Sequence, residues 1–104
     1  MSGWRRIHPT DDYVTTVTHI LDGDVIEPGF RFNISVPWLL RFLQSRHDPQ
    51  LLRMSMWHDF WLQQGVDAAV AAARARLIAR EDGASAQKAW RVYFAMLIWT
   101  AFDD

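Results

Sequence analysis

The sequence predicts an α+β domain, with a small antiparallel hairpin or three-stranded sheet followed by about four helices packed as a bundle. Three observations carry this. Residues 13–21 (YVTTVTHIL) are rich in β-branched side chains and hold no helix signal. Residues 30–35 (FRFNIS) alternate apolar and polar, setting Phe30, Phe32 and Ile34 on one side. From Ser35 onward the pattern becomes a series of capped helical segments with no further strand. Strands followed by helices, without alternation, define the α+β class.

In order, residues 1–12 read as a polar N-terminal arm, ordered only where something docks Trp4 and Ile7. Residues 13–104 read as one domain. Asp22-Gly23-Asp24 is a turn between residues 13–21 and a short strand at Val25-Ile26, and Pro28-Gly29 closes the hairpin. Ser35 then caps a helix with Pro37 in its first turn, running through Leu43 or Gln44. Asp48 caps the next, with Pro49 at its first position, over about residues 49–64, and Gly65 ends it as a left-handed cap. Asp67 sits in the first turn of a third helix, where a carboxylate suits the dipole, and this helix reaches Glu81 or Asp82. Its alanines permit close helix approach. Gly83 ends it, Ser85 caps the last helix, and that helix runs over about residues 86–101.

The bulk properties narrow the function classes. The chain has 104 residues, enough for a single domain with a real core. It has no cysteine, so neither a disulfide framework nor a thiolate metal site is open to it. The net charge of −1 gives no concentrated basic footprint, and no nucleic-acid partner is expected. Ten of the eleven basic residues are Arg, the exception being Lys88, which favours fixed ion pairs. No apolar run reaches the ~20 residues of a membrane span, and no signal-peptide pattern follows Arg5-Arg6. A soluble, cytoplasmically made protein is expected, not secreted by a signal peptide. No Gly-rich phosphate loop or nucleophile elbow is present, and no cofactor is expected.

The polar candidates centre on His58-Asp59. On a helical wheel Leu51, Met54, Trp57, His58, Trp61 and Leu62 share one face, so His58 points inward and Asp59 falls at the edge. Neighbours along a helix do not face each other, so the two do not form a dyad between themselves. A turn at Gly65 folds the next helix back so that Ala72, Ala73 and Arg74 oppose them. Arg74 is then the natural partner of Asp59, and no acid stands there to orient His58 as a base. The expectation is a structural histidine with Asp59 in an ion pair, set against a catalytic or ligand role for His58. His8, His19 and His47 lack metal-ligand spacing.

The last helix is apolar all round. Trp90, Phe94, Leu97, Ile98 and Ala101 form one face, expected to meet the core. Val92, Met96 and Trp99 form a second stripe, which together with Trp4 is expected to contact a protein partner or another copy of the chain.

The block Glu27-Pro-Gly-Phe-Arg-Phe-Asn-Ile-Ser-Val-Pro37, followed by Trp57-His58-Asp59-Phe-Trp61, resembles a family of small phage and prophage proteins of unknown function. That family carries a Pro-x-Gly-Phe segment, an Asp before a Ser-x-Pro element, a His-Asp-x-x-Tyr helix and a second helix with an Ala-Asp pair. The resemblance covers about residues 26–96. The His-Asp helix is also similar to that of secretory phospholipases, where His is the general base, the adjacent Asp helps hold calcium and a later Asp orients the His. The resemblance implies His58 as base and Asp59 as metal ligand. This chain departs from the pattern: the first family Asp is Asn33, the Tyr position is Leu62 or Trp61, and the second-helix Asp falls near Ala73 beside Arg74. Calcium needs several oxygen ligands, and suppliers are missing. The sequence therefore points to a non-enzymatic, phage-derived structural or accessory protein of a virion, in the tail or head–tail region. The alternatives are a small lipid- or cell-wall-directed hydrolase using His58, and a regulatory module binding a host protein.

Overall fold

The computed structural model describes residues 3–10, 12–33 and 48–102, the last four of these by backbone alone. It is α+β, with short antiparallel strands followed by three helices among the described residues. The helix expected after Ser35 lies outside the described residues.

Strand β2 (Tyr13–Thr15) is the centre of a three-stranded antiparallel sheet, between β1 (Trp4–Arg6) and β5 (Arg31–Phe32). Trp4 pairs with Thr15, and Tyr13 pairs with Phe32. Strands β3 (His19–Leu21) and β4 (Asp24–Ile26) form a separate hairpin with Leu21 opposite Asp24. Its two-residue loop has φ of 50° at Asp22 and 87° at Gly23, the pair of positive values that a type I′ turn requires and that Asp-Gly supplies.

The first two expectations for this region need correction. The segment 13–21 is two strands, not one. Thr15 breaks it: its hydroxyl, in a residue 2% exposed, donates to the Glu27 carbonyl at 2.8 Å and accepts from the Phe30 amide at 3.0 Å. Its carbonyl accepts from Gly29 and the Thr16 amide turns to Gly3, so the chain leaves the sheet at this point. β-propensity is uniform across the segment and carries no trace of that break. The N-terminal stretch is also more than an arm, since Trp4–Arg6 is an edge strand. Trp4 stacks on His19 at 5.8 Å and meets Phe32 edge-on at 5.9 Å, so its ring serves the chain's own packing. His19 closes the same corner through Nε2, 3.1 Å from the Gly3 carbonyl.

Helix α1 (Leu52–Gln63) begins three residues later than expected. Asp48 does cap, but it caps a turn: its carboxylate accepts from the Gln50 amide and its carbonyl from Leu51, both at 2.9 Å. Gly65, at φ 84°, ends the helix as predicted. Helix α2 (Ala68–Glu81) is capped by Asp67 itself, whose side chain accepts from the amides of Ala69 and Val70. Helix α3 (Ala86–Phe102) is capped by Ser85, which accepts from the Lys88 amide at 3.1 Å. Helix α2 packs on both α1 and α3, and α1 carries β5. Ala71, Ala72, Ala75 and Ala79 are fully buried, so α2 meets its neighbours through methyl groups and the helices approach closely. No helix among the described residues is long and apolar enough to cross a membrane.

Candidate functional site

Helix α1 is the most buried element. Leu51, Met54, Trp57, His58 and Trp61 point inward as the wheel predicts, and Leu52, Ser55 and Met56 are buried too. Nearly every side of this helix is covered, so His58 sits within the packing and not at a cleft wall. It is 4% exposed, and its Nε2 has no hydrogen-bond partner among the described residues; Ser55 Oγ, one turn earlier, has none either. Its Nδ1 lies 3.9 Å from Asp59 Oδ1, beyond hydrogen-bond reach.

Asp59 takes a partner that the helical wheel does not reveal. Its Oδ2 accepts from the backbone amide of Asn33 at 3.3 Å. The Asn33 side chain in turn donates to Asp12 Oδ1 at 3.0 Å, and Arg31 binds Asp12 Oδ2 at 2.6 Å. The hydrogen bond from Asn33 and then the Arg31 guanidinium hold the Asp12 carboxyl below the usual carboxylate range. The fold thus gathers Asp12, Arg31, Asn33, His58 and Asp59 where β5 meets α1. Of these, Arg31, Asn33, His58 and Asp59 stand in the motif blocks, Asp12 does not, and the Asp12–Arg31 pair was missed. Asp12 meets Arg31 and Asn33 across 19 and 21 residues beside the β2–β5 pairing, and Asn33 meets Asp59 across 26, separations that no local spacing records.

The expected Asp59–Arg74 pair does not form. Arg74 lies instead over the Trp61 ring, 5.3 Å from its centroid. The reason is the phase of α2. Ala71, Ala72 and Ala75 turn inward while Ala73 and Arg74 turn outward, so the guanidinium reaches the ring past the end of α1. A cleft of about 640 Å³ opens there, lined by Leu21, Asp24, Trp61, Arg74, Leu77 and Glu81 among others. Its polar groups are already engaged in part: Trp61 Nε1 donates to Asp24 Oδ2 at 3.1 Å, tying the β3–β4 hairpin to α1.

Chemically the cluster is better suited to holding the sheet on the helices than to catalysis. A general base needs an oriented imidazole within reach of substrate. Here the imidazole is enclosed, and the carboxylate beside it is engaged by a backbone amide. No group of three or more His, Asp or Glu residues is placed to hold a metal ion among the described residues.

The exposed face of α3 is the second candidate, and it reverses the expectation for this helix. Val92 and Met96, expected at a partner, are buried within the chain at 2% and 7% exposure. Trp90, Phe94 and Ile98, expected in the core, are 45%, 55% and 45% exposed. The side chain of Trp99 lies outside the described residues. The physical reason is the alanine surface of α2. It is matched by the face of α3 that carries Ala89, Val92 and Met96 at i, i+3 and i+7, whereas Trp90 and Phe94 would hold the helices apart. Ala89 was the overlooked signal, a small residue marking the contact side. On the outer face Trp90 stacks with Phe94 at 6.0 Å, Tyr93 meets both edge-on at 5.3 Å, and Arg76 lies 4.3 Å from the Trp90 centroid.

Comparison with protein-family models, curated proteins and solved structures returns no match for this chain.

Proposed function

We propose that the chain is a non-enzymatic accessory or structural protein of phage origin, acting through protein–protein contacts in a virion assembly at the tail or head–tail region. The observation that carries the contact reading is the aromatic outer face of α3. A row of Trp90, Phe94 and Ile98 about half exposed on one helix is the composition of an interface core: aromatic, uncharged at its centre and rimmed by Arg76 and Arg91. The phage setting rests on the motif resemblance of residues 27–37 and 57–61. The enclosure of His58 and the engagement of Asp59 by Asn33 weigh against the hydrolase reading.

Mass spectrometry of purified particles tests the proposal. The chain is expected in the particles, and a Phe94→Glu variant with unchanged circular dichroism is expected to be missing from them. Absence of the unaltered chain from particles overturns the virion reading. A hydrolytic activity abolished by His58→Ala in a folded protein would overturn the non-enzymatic one.

A further inference from the structure

We infer that the outer face of α3 is a self-association surface, occupied by a second copy of the chain packed antiparallel about Phe94. This rests on the contact reading above and names its partner. The first argument is spacing. Trp90 and Ile98 stand four residues on either side of Phe94, all three exposed. A two-fold axis at Phe94 sets that ring on its mate and sets Trp90 against Ile98 of the second copy. The row is therefore complementary to itself, as an isologous contact requires, and rows at i±4 are the ridges that most often interdigitate between helices.

The second argument is area. Large aromatic side chains bury about 150–250 Å² each, so the half-exposed Trp90 and Phe94 offer on the order of 100 Å² apiece, and Ile98 somewhat less. Two copies then cover on the order of 600 Å² of apolar surface. The half-buried Tyr93 and Leu97 and the Arg76 and Arg91 rim extend this toward the ~1,200 Å² lower bound of stable interfaces.

The third argument is charge. Arg76 stands over Trp90 and Arg91 lies on the exposed side of the N-terminal half of α3, Lys88 is engaged instead by Asp48, and residues 92–102 carry no charge. Antiparallel pairing sets each Arg91 beside the uncharged half of the other copy's α3 and opposes the helix dipoles. Parallel pairing would set Arg91 beside Arg91 of the second copy.

Sedimentation equilibrium over a wide concentration range tests this. The mass is expected to rise from the 12.1 kDa chain toward twice that value. Phe94→Glu is expected to weaken the dimer at least about thirtyfold, as loss of a central aromatic anchor does. Because the chain has no cysteine, Phe94→Cys gives a direct geometric readout. Two copies are expected to link through it on mild oxidation. Trp90→Cys is expected to link with an Ile98→Cys copy and not with itself. A 12.1 kDa mass at every concentration overturns the inference, even where the chain is found in particles. Self-linking at position 90 as efficient as at 94 overturns the antiparallel arrangement. A dimer that is absent from particles leaves self-association standing and overturns the virion reading alone.

Discussion

Two buried polar residues show opposite kinds of polar burial. Thr15 is satisfied twice, donating to Glu27 and accepting from Phe30, and it holds the turn of 27–30 against β2. Thr15→Val keeps the shape, removes both bonds and strands the Phe30 amide. It is expected to lower stability by about 1–3 kcal/mol in urea denaturation, and a loss within experimental error would show that the turn is held by other contacts. His58 is the reverse case. Its Nε2 is enclosed without a partner among the described residues, so within them no hydrogen bond at Nε2 offsets the desolvation penalty of the imidazole. His58→Leu is therefore expected to leave stability unchanged within about 1 kcal/mol or to raise it. A loss above about 2 kcal/mol would show that the imidazole makes an interaction worth more than that penalty. His58 was legible in the sequence as an inward residue because helical periodicity places it. Thr15 was not, because its partners lie 12 and 15 residues away and nothing local distinguishes it from Thr16.

At the scale of elements, the caps were the most legible features. Gly65, Gly83 and Ser85 end or begin helices where the sequence places them, because each acts on backbone groups within a few residues. The orientation of α3 was not legible. Both its faces are apolar, and the choice between them is made by the shape of α2, a tertiary property. The small residues on both helices decide it, with Ala89 and Val92 lying on the alanine side. A pair of substitutions separates the two orientations. Val92→Glu places an unpaired carboxylate in a site 2% exposed and is expected to cost about 3 kcal/mol or more. Phe94→Glu removes exposed ring contacts alone and is expected to cost under about 1.5 kcal/mol in the monomer. Thermal denaturation of both at low concentration reads the difference. If Phe94→Glu proves the more damaging, α3 packs the other way round.

For the whole molecule, the question is what joins the sheet to the helices. One joint is the chain Arg31–Asp12–Asn33–Asp59, assembled from three separate segments and so invisible to any reading of local spacing. It makes the joint sensitive to acid. The Asp12 carboxyl is held below its ordinary value of about 3.9 by Asn33 and Arg31. Between the two values the unfolded chain binds a proton that the folded chain refuses. The stabilisation is therefore complete above about pH 3.9 and is lost as pH falls through the folded value. Urea midpoints measured from pH 5 downward are expected to fall less steeply for Asp12→Asn than for the unaltered protein, and parallel curves would remove Asp12 from the joint. The second joint is the hydrogen bond from Trp61 to Asp24, which fastens the β3–β4 hairpin to α1. That hairpin is two-stranded and separate from the main sheet, and Ile20 and Val25 on it face solvent at 71% and 41% exposure. An isolated two-stranded hairpin is marginal in water, so its order depends on this tether and on the packing of Ile26, 1% exposed. Local opening follows the weakest set of contacts, which places the hairpin ahead of the α2–α3 pair. Asp24→Ala leaves the indole N–H without its acceptor. Hydrogen exchange followed by mass spectrometry is expected to show residues 19–26 exchanging about tenfold faster in this variant, as a loss near 1.4 kcal/mol implies, with rates in α2 and α3 little changed. Equal acceleration throughout the chain would mean that hairpin and helices open as one cooperative unit, and that the Trp61–Asp24 bond supports the whole fold and not one joint of it.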